Sequence, residues 1–210
     1  MMNVPSLQAL FYQLLDRYKA TLFQKESFWD QLAKAYDHPL RHYHTFDHLT
    51  HLYLELSAHL GIIENWDAIL FAIFYHDAVY DVHSNLNEEH SADSAEKVLR
   101  SLNATASVID LVRMHILATK LHTTSPSFDT GIFIDADLSI LGADDGRYDS
   151  YAAQIRNEYI DYPDTGYRAG RRKVLQEFLG RNKIFITDVF YQQYESKARQ
   201  NLRRELEALS

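Results

Sequence analysis

Cysteine is absent from the 210 residues. That excludes disulfides, a thiolate nucleophile and any Cys-built zinc or iron–sulfur site. A metal would have to be held by His, Asp and Glu, donors that suit Mn, Mg, Fe or Zn. Proline and glycine are scarce, at four and seven, so few turns are signalled and long helices are favoured. No run approaches the ~18 apolar residues of a membrane span. The opening Met1-Met2-Asn3-Val4-Pro5-Ser6 lacks the basic and apolar stretches of a signal peptide. A cytoplasmic protein with no membrane partner is therefore expected. Positive charge is also in deficit, with a net charge of −8. This argues against a nucleic-acid polymer as partner, but a single nucleotide or small phosphoester is compatible with it, because a metal supplies local positive charge.

The chain is 46% hydrophobic and long enough to bury the core of one domain. Apolar residues recur mostly at helical spacing, and no strand-like alternation or internal repeat occurs. Ser6 is placed to cap a helix with the apolar face Leu7, Leu10, Phe11, Leu14, Leu15 and Tyr18. Further helices are expected over 26–36, from Thr45 to Leu60 with Gly61 as the stop, and over 66–75, 88–102 and 105–119. A loop follows at 123–129 with Ser125-Pro126-Ser127 as its turn signal, then an apolar segment at 132–141. Helices at 148–159, 168–179 and 188–209 complete an all-α, single-domain bundle, residues 1–210. The C-terminal helices are expected to pack on a site built from about residues 40–140.

All eleven histidines lie between His38 and His122. On a helix, His44 and His48 would project from one face, about 5–6 Å apart, and could address one point; the other reading is a solvated helix face. His38 and His42 are expected at the surface. His76-Asp77 closes the apolar run Ile69 to Tyr75, where ionisable groups are costly unless paired or metal-bound. The pair offers one neutral nitrogen and one charged oxygen, or else forms a buried His–Asp hydrogen bond. Asp135-Ala136-Asp137 lies in a second apolar segment. Carboxylates two residues apart do not share a helical face, so one is expected to address a site and the other to cap the helix. The Asp-x-Asp metal motif of sugar-nucleotide transferases is a rival, but it needs an α/β host that this chain does not signal.

The order His48, His76-Asp77, Asp137 resembles the H…HD…D signature of the HD superfamily of metal-dependent phosphohydrolases. The resemblance extends over most of the chain. It includes Tyr43-His44, Phe74-Tyr75-His76-Asp77-Ala78-Val79-Tyr80-Asp81, Asn87-Glu88-Glu89-His90-Ser91-Ala92, Thr119-Lys120-Leu121-His122 and Asp135 to Gly142. It is similar to an uncharacterised bacterial branch in which Asn usually follows the Tyr-His; here Thr45 stands there.

The resemblance implies a helical HD-type domain and one divalent ion held by His48, His76, Asp77 and Asp137, with His44 as proton donor. It also implies hydrolysis of a nucleotide or other small phosphoester or phosphoanhydride by metal-activated water. His115, His122 and Asp135 are candidates for a second ion or for orienting the first ligands. Glu88 is a candidate for orienting water, or simply an acid that favours a helix N-terminus. Lys120, Arg156 and Arg171 are phosphate-binding candidates, or surface ion pairs. Tyr43, Tyr75 and Tyr80 either stack a base or belong to the core. Two alternatives stay open. One is a metal- and nucleotide-binding sensing or structural module without turnover; the other is a di-iron oxygenase on the same scaffold. A homo-oligomer is compatible with each.

Overall fold

The computed structural model describes residues 6–123 and 127–209. The N-terminal residues 1–5 and the Ser125-Pro126 part of the turn signal lie outside the described residues. Among those described there is no strand, and the chain is all-α. It divides into two compact units, Met1–His122 and Thr123–Ser210.

The first unit contains α1 (Leu7–Arg17), α2 (Leu22–Tyr36), α3 (Phe46–Ser57), α4 (Trp66–Tyr75), α5 (Asn87–Ser101) and α6 (Ala106–Ala118). Ser6 caps α1 through the Ala9 amide. The second helix begins four residues earlier than expected, because Thr21 and Gln24 form a reciprocal capping box. The third opens at Thr45 as expected, its side chain accepting from the Asp47 amide as the cap ahead of Phe46. It stops earlier than expected, at Ser57; Gly61 is not its terminator but part of a short 3-10 turn, Leu60–Ile62. Left-handed residues do occur, yet none is glycine: Lys19, Asn103 and His122 carry φ values of 55°, 54° and 47° just past the ends of α1, α5 and α6. In the first two, the following amide reaches back to close the turn, Ala20 onto Leu15 and Ala104 onto Leu99.

At the heart of this unit is α4. Every residue from Ala68 to Tyr75 is buried, and the helix packs against α1, α3, α5 and α6. Burying each large apolar side chain stabilises the fold by roughly 1.5–3 kcal/mol, so the C-terminal end of α4, where His76 is the cap, is firmly anchored. Tyr75 belongs to this core, 4% exposed and in ring contact with Phe11.

The second unit contains α7 (Phe128–Leu138), α8 (Asp145–Glu158), α9 (Asp164–Gly180) and α10 (Asp188–Ala208). Asp135 sits mid-helix in α7 and caps nothing there; that part is taken by Ser127. Instead the Asp135 carboxylate accepts hydrogen bonds from the Ile186 amide (2.7 Å), the Thr187 amide (2.7 Å) and the Thr187 hydroxyl (2.6 Å). Burial pushes this carboxyl above its ordinary range, and the three donors oppose that only in part. Gly142 is required by a close approach: a Cβ there would lie 2.7 Å from the Tyr194 Cβ and 2.9 Å from its carbonyl oxygen. Nearby, the Asn201 amide donates to the Leu141 and Ala143 carbonyls.

Candidate metal and acid–base centre

Four side chains of the first unit converge where α4 ends and α3 begins. The His76 Nδ1 lies 3.1 Å from the Ile73 carbonyl. A carbonyl only accepts, so Nδ1 carries the proton and Nε2 of the neutral ring is a bare lone pair. That Nε2 faces the Asp77 Oδ2 at 3.0 Å and the His48 Nε2 at 3.1 Å. The Asp77 Oδ2 in turn lies 3.7 Å from the His48 Nε2 and 4.0 Å from the His44 Nε2. Without positive charge, electron-rich atoms would oppose one another here. The Asp77 carboxyl is desolvated, which raises its pKa, yet the positive charge that His76, His44 and His48 carry when protonated outweighs burial and holds it below the ordinary carboxylate range. The donor set fits a borderline divalent cation, with two imidazole nitrogens and a carboxylate within a few ångströms. The negative end of the α4 dipole adds to the preference for positive charge.

His44 does not lie on α3 as the i, i+4 spacing suggests. Thr45 is the cap, so His44 sits in the turn before it, yet its ring still comes within 5.8 Å of the His48 ring. The His48 and His76 side chains are each 1% exposed, whereas His44 is 18% exposed and reachable from solvent. Tyr80 packs on the His44 ring at 4.2 Å, and Tyr43 contacts the rings of both His44 and His48. Two of the three motif tyrosines are therefore at the centre.

The Asn87 and Ser91 positions of the motif support the loop that follows Asp77. The Asp81 amide donates to the Asn87 side chain and the Asn87 amide donates to the Asp81 carbonyl, at 3.0 and 2.9 Å. The Ser91 hydroxyl bridges the amide and carbonyl of Val79. Glu88 lies half-buried in the first turn of α5.

The remaining candidates are placed as follows. His38 and His42 are exposed and line an open groove with Tyr36, Arg41 and Phe46. His115 is fully buried on α6, and His122 is half-buried just beyond it. Asp137 is half-buried on the last turn of α7 in the second unit. Asp135 is engaged by the donors of residues 186–187. Lys120 donates to the Asn85 carbonyl at 2.6 Å and pairs with Glu89, whose carboxyl that hydrogen bond holds below its usual value. Arg156 donates to the Tyr159 and Tyr162 carbonyls past the end of α8. Arg171 makes a two-pronged pair with Glu205 at 2.7 and 2.9 Å and donates to the Tyr151 hydroxyl. Each of these three cations has partners within the chain, Lys120 at the surface and Arg171 with its side chain only 9% exposed.

Arg41 escapes sequence reasoning. Its side chain is buried, donating through Nη1 to the Asp77 carbonyl (2.7 Å) and the His44 carbonyl (3.2 Å), and through Nη2 to the Ala78 carbonyl (3.2 Å). Nothing in the run His38-Pro39-Leu40-Arg41-His42 signals this, because its acceptors are main-chain atoms whose identity leaves no trace in the sequence.

No family model matches the chain, and neither curated proteins nor solved structures match it significantly.

Proposed function

We propose that the chain is a metal-dependent phosphohydrolase acting on a nucleotide or another small phosphoester or phosphoanhydride. The observation that carries this reading is the convergence of His48, His76 and Asp77 with the more accessible His44 beside them. His48, His76 and Asp77 would hold a divalent ion, and Asp137 is proposed as a further ligand from the order of the motif. When bound, such an ion supplies charge stabilisation at a phosphoryl oxygen and an acidified water.

The chain's own groups do the rest. The Nδ1–H of His76, tied to the Ile73 carbonyl, fixes which nitrogen addresses the ion. Asp77 supplies the negative charge that two neutral imidazoles lack. His44 is close enough to Asp77 for its imidazolium to be stabilised and open enough to meet a leaving oxygen, so it donates the proton that the departing alkoxide requires. Tyr80 keeps the His44 ring oriented. A binding module would need the ion but not a proton donor.

The test is elemental analysis of the purified protein, followed by phosphate-release assays with that metal over nucleotides and small phosphoesters. Release that disappears in His76→Ala supports the reading. Bound metal with no release across a wide panel would replace it with a sensing module.

A further inference from the structure

We propose that Arg41 is a positioning residue that fixes His44 against the His76-Asp77 end of α4; for its effect on turnover, this rests on the phosphohydrolase reading. One guanidinium collects the carbonyls of His44, Asp77 and Ala78, which belong to two segments more than thirty residues apart. It lies over the Tyr36 ring at 4.9 Å and the Tyr80 ring at 5.4 Å, and Tyr80 is the ring packed against His44, tilted by 32° at 4.2 Å. Tyr36 is itself tied to α4, its hydroxyl donating to the Phe74 carbonyl at 3.1 Å. The backbone and the side chain of His44 are thus both referred, through Arg41, to the helix end that carries His76 and Asp77.

The chemistry of the residue supports a geometric role. A cation only 9% exposed that meets neutral carbonyls rather than a carboxylate has no opposing charge to neutralise it, and is held by hydrogen bonds and ring contacts alone. What a planar five-donor fork adds is a fixed distance between its acceptors. A lysine ammonium is a point donor on a flexible stem and would not impose that distance.

The experiment compares Arg41→Lys and Arg41→Ala with wild type by three readouts. These are the His44 ring resonances in metal-free protein, assigned with His44→Ala; Co²⁺ affinity; and kcat and KM on whichever phosphoester the wild type hydrolyses. In Arg41→Lys we expect shifted His44 resonances, Co²⁺ affinity within about threefold of wild type, and kcat lowered about 10–100-fold with KM little changed, as for a group misplaced by about an ångström. Millimolar guanidinium should restore part of the rate in Arg41→Ala. Wild-type His44 resonances and wild-type kcat in folded Arg41→Lys would overturn the proposal. So would a loss of rate that merely tracks the loss of folded protein. If Arg41→Ala does not fold, the lysine variant decides alone; if neither variant folds, Arg41 is structural and the proposal fails. Should the wild type hydrolyse nothing while the His44 resonances still move, the phosphohydrolase reading fails and the positioning role stands.

Discussion

His48 and His76 point their Nε2 atoms at each other across 3.1 Å. Since the Ile73 carbonyl claims the Nδ1 proton of His76, this contact is satisfied either by a proton or by a cation. A cation that binds the folded chain and not the unfolded one stabilises it by about 2.7 kcal/mol at one hundred times its Kd. For a chain of this length that corresponds to a rise in Tm of about 5–10 °C. Zn²⁺ or Co²⁺ should produce such a rise in wild type and none in His76→Ala or Asp77→Ala, measured by thermal melts after chelator treatment. The affinity should weaken on acidification, because the imidazoles bind metal only when neutral. Equal shifts in the wild type and both variants would locate the ion elsewhere.

His44 is separable from the ligands. It stands in the turn before α3, 4.0 Å from the Asp77 Oδ2 and partly open to solvent. His44→Ala should keep the metal content of wild type while slowing turnover about 10²–10⁴-fold, the range for loss of a general acid. The slowing should be smallest for substrates with good leaving groups, which need no proton. A uniform loss across leaving groups, or loss of the metal, would remove His44 from the role of donor.

Alkali offers a test of the two cores. Burial lifts Tyr36, Tyr75 and Tyr148 above the ordinary tyrosine value, with the Glu205 charge adding to the effect at Tyr148, and Tyr18 is pushed up to about 12 by burial and by Asp67. Between the ordinary value of about 10 and these raised ones, the unfolded chain loses phenolic protons that the folded chain keeps. Stability is therefore undiminished below about pH 10 and falls as the pH rises above it. Denaturant midpoints should hold from about pH 8 to about pH 10 and decline above that, less steeply in Tyr148→Phe. Phenolate absorbance from all fourteen tyrosines appearing near pH 10, before any unfolding, would contradict this.

The legible part of the fold was the part carried by side-chain periodicity. The run Ile69 to Tyr75 announced α4 without ambiguity, and Ser6 and Thr45 marked helix starts through their own hydroxyls. Gly61 misled because the left-handed residues that close helix ends here are Lys19 after α1 and Asn103 after α5 rather than glycines, which composition does not reveal. Thr45 capping α3 also displaced His44 from the helix on which its spacing had placed it. The convergence of His48, His76 and Asp77 could be suspected from their order along the chain. Arg41 could not, since its partners are carbonyls 36 and 37 residues away. The bonds of Asp135 are equally silent: two of its three donors are main-chain amides, at residues 186 and 187.

Asp135 and Asp137 therefore make a discriminating pair. Asp135 answers three donors with one carboxylate, all within the second unit. Asp135→Asn replaces an acceptor oxygen with an amide that is itself a donor, so at least one of the 186–187 groups faces a like group. Hydrogen bonds to charged acceptors contribute about 1.5–3 kcal/mol each, and stranding a buried donor costs about 1–3 kcal/mol more. A loss of about 2–4 kcal/mol is expected by chemical denaturation, with metal content per folded molecule unchanged. Asp137→Asn should lower Co²⁺ affinity about tenfold or more, as befits a proposed ligand whose charge is removed. If Asp135→Asn proved the metal-deficient variant and Asp137→Asn the unstable one, the two carboxylates would have exchanged roles, and the ligand set proposed from the order of the motif would have to be redrawn.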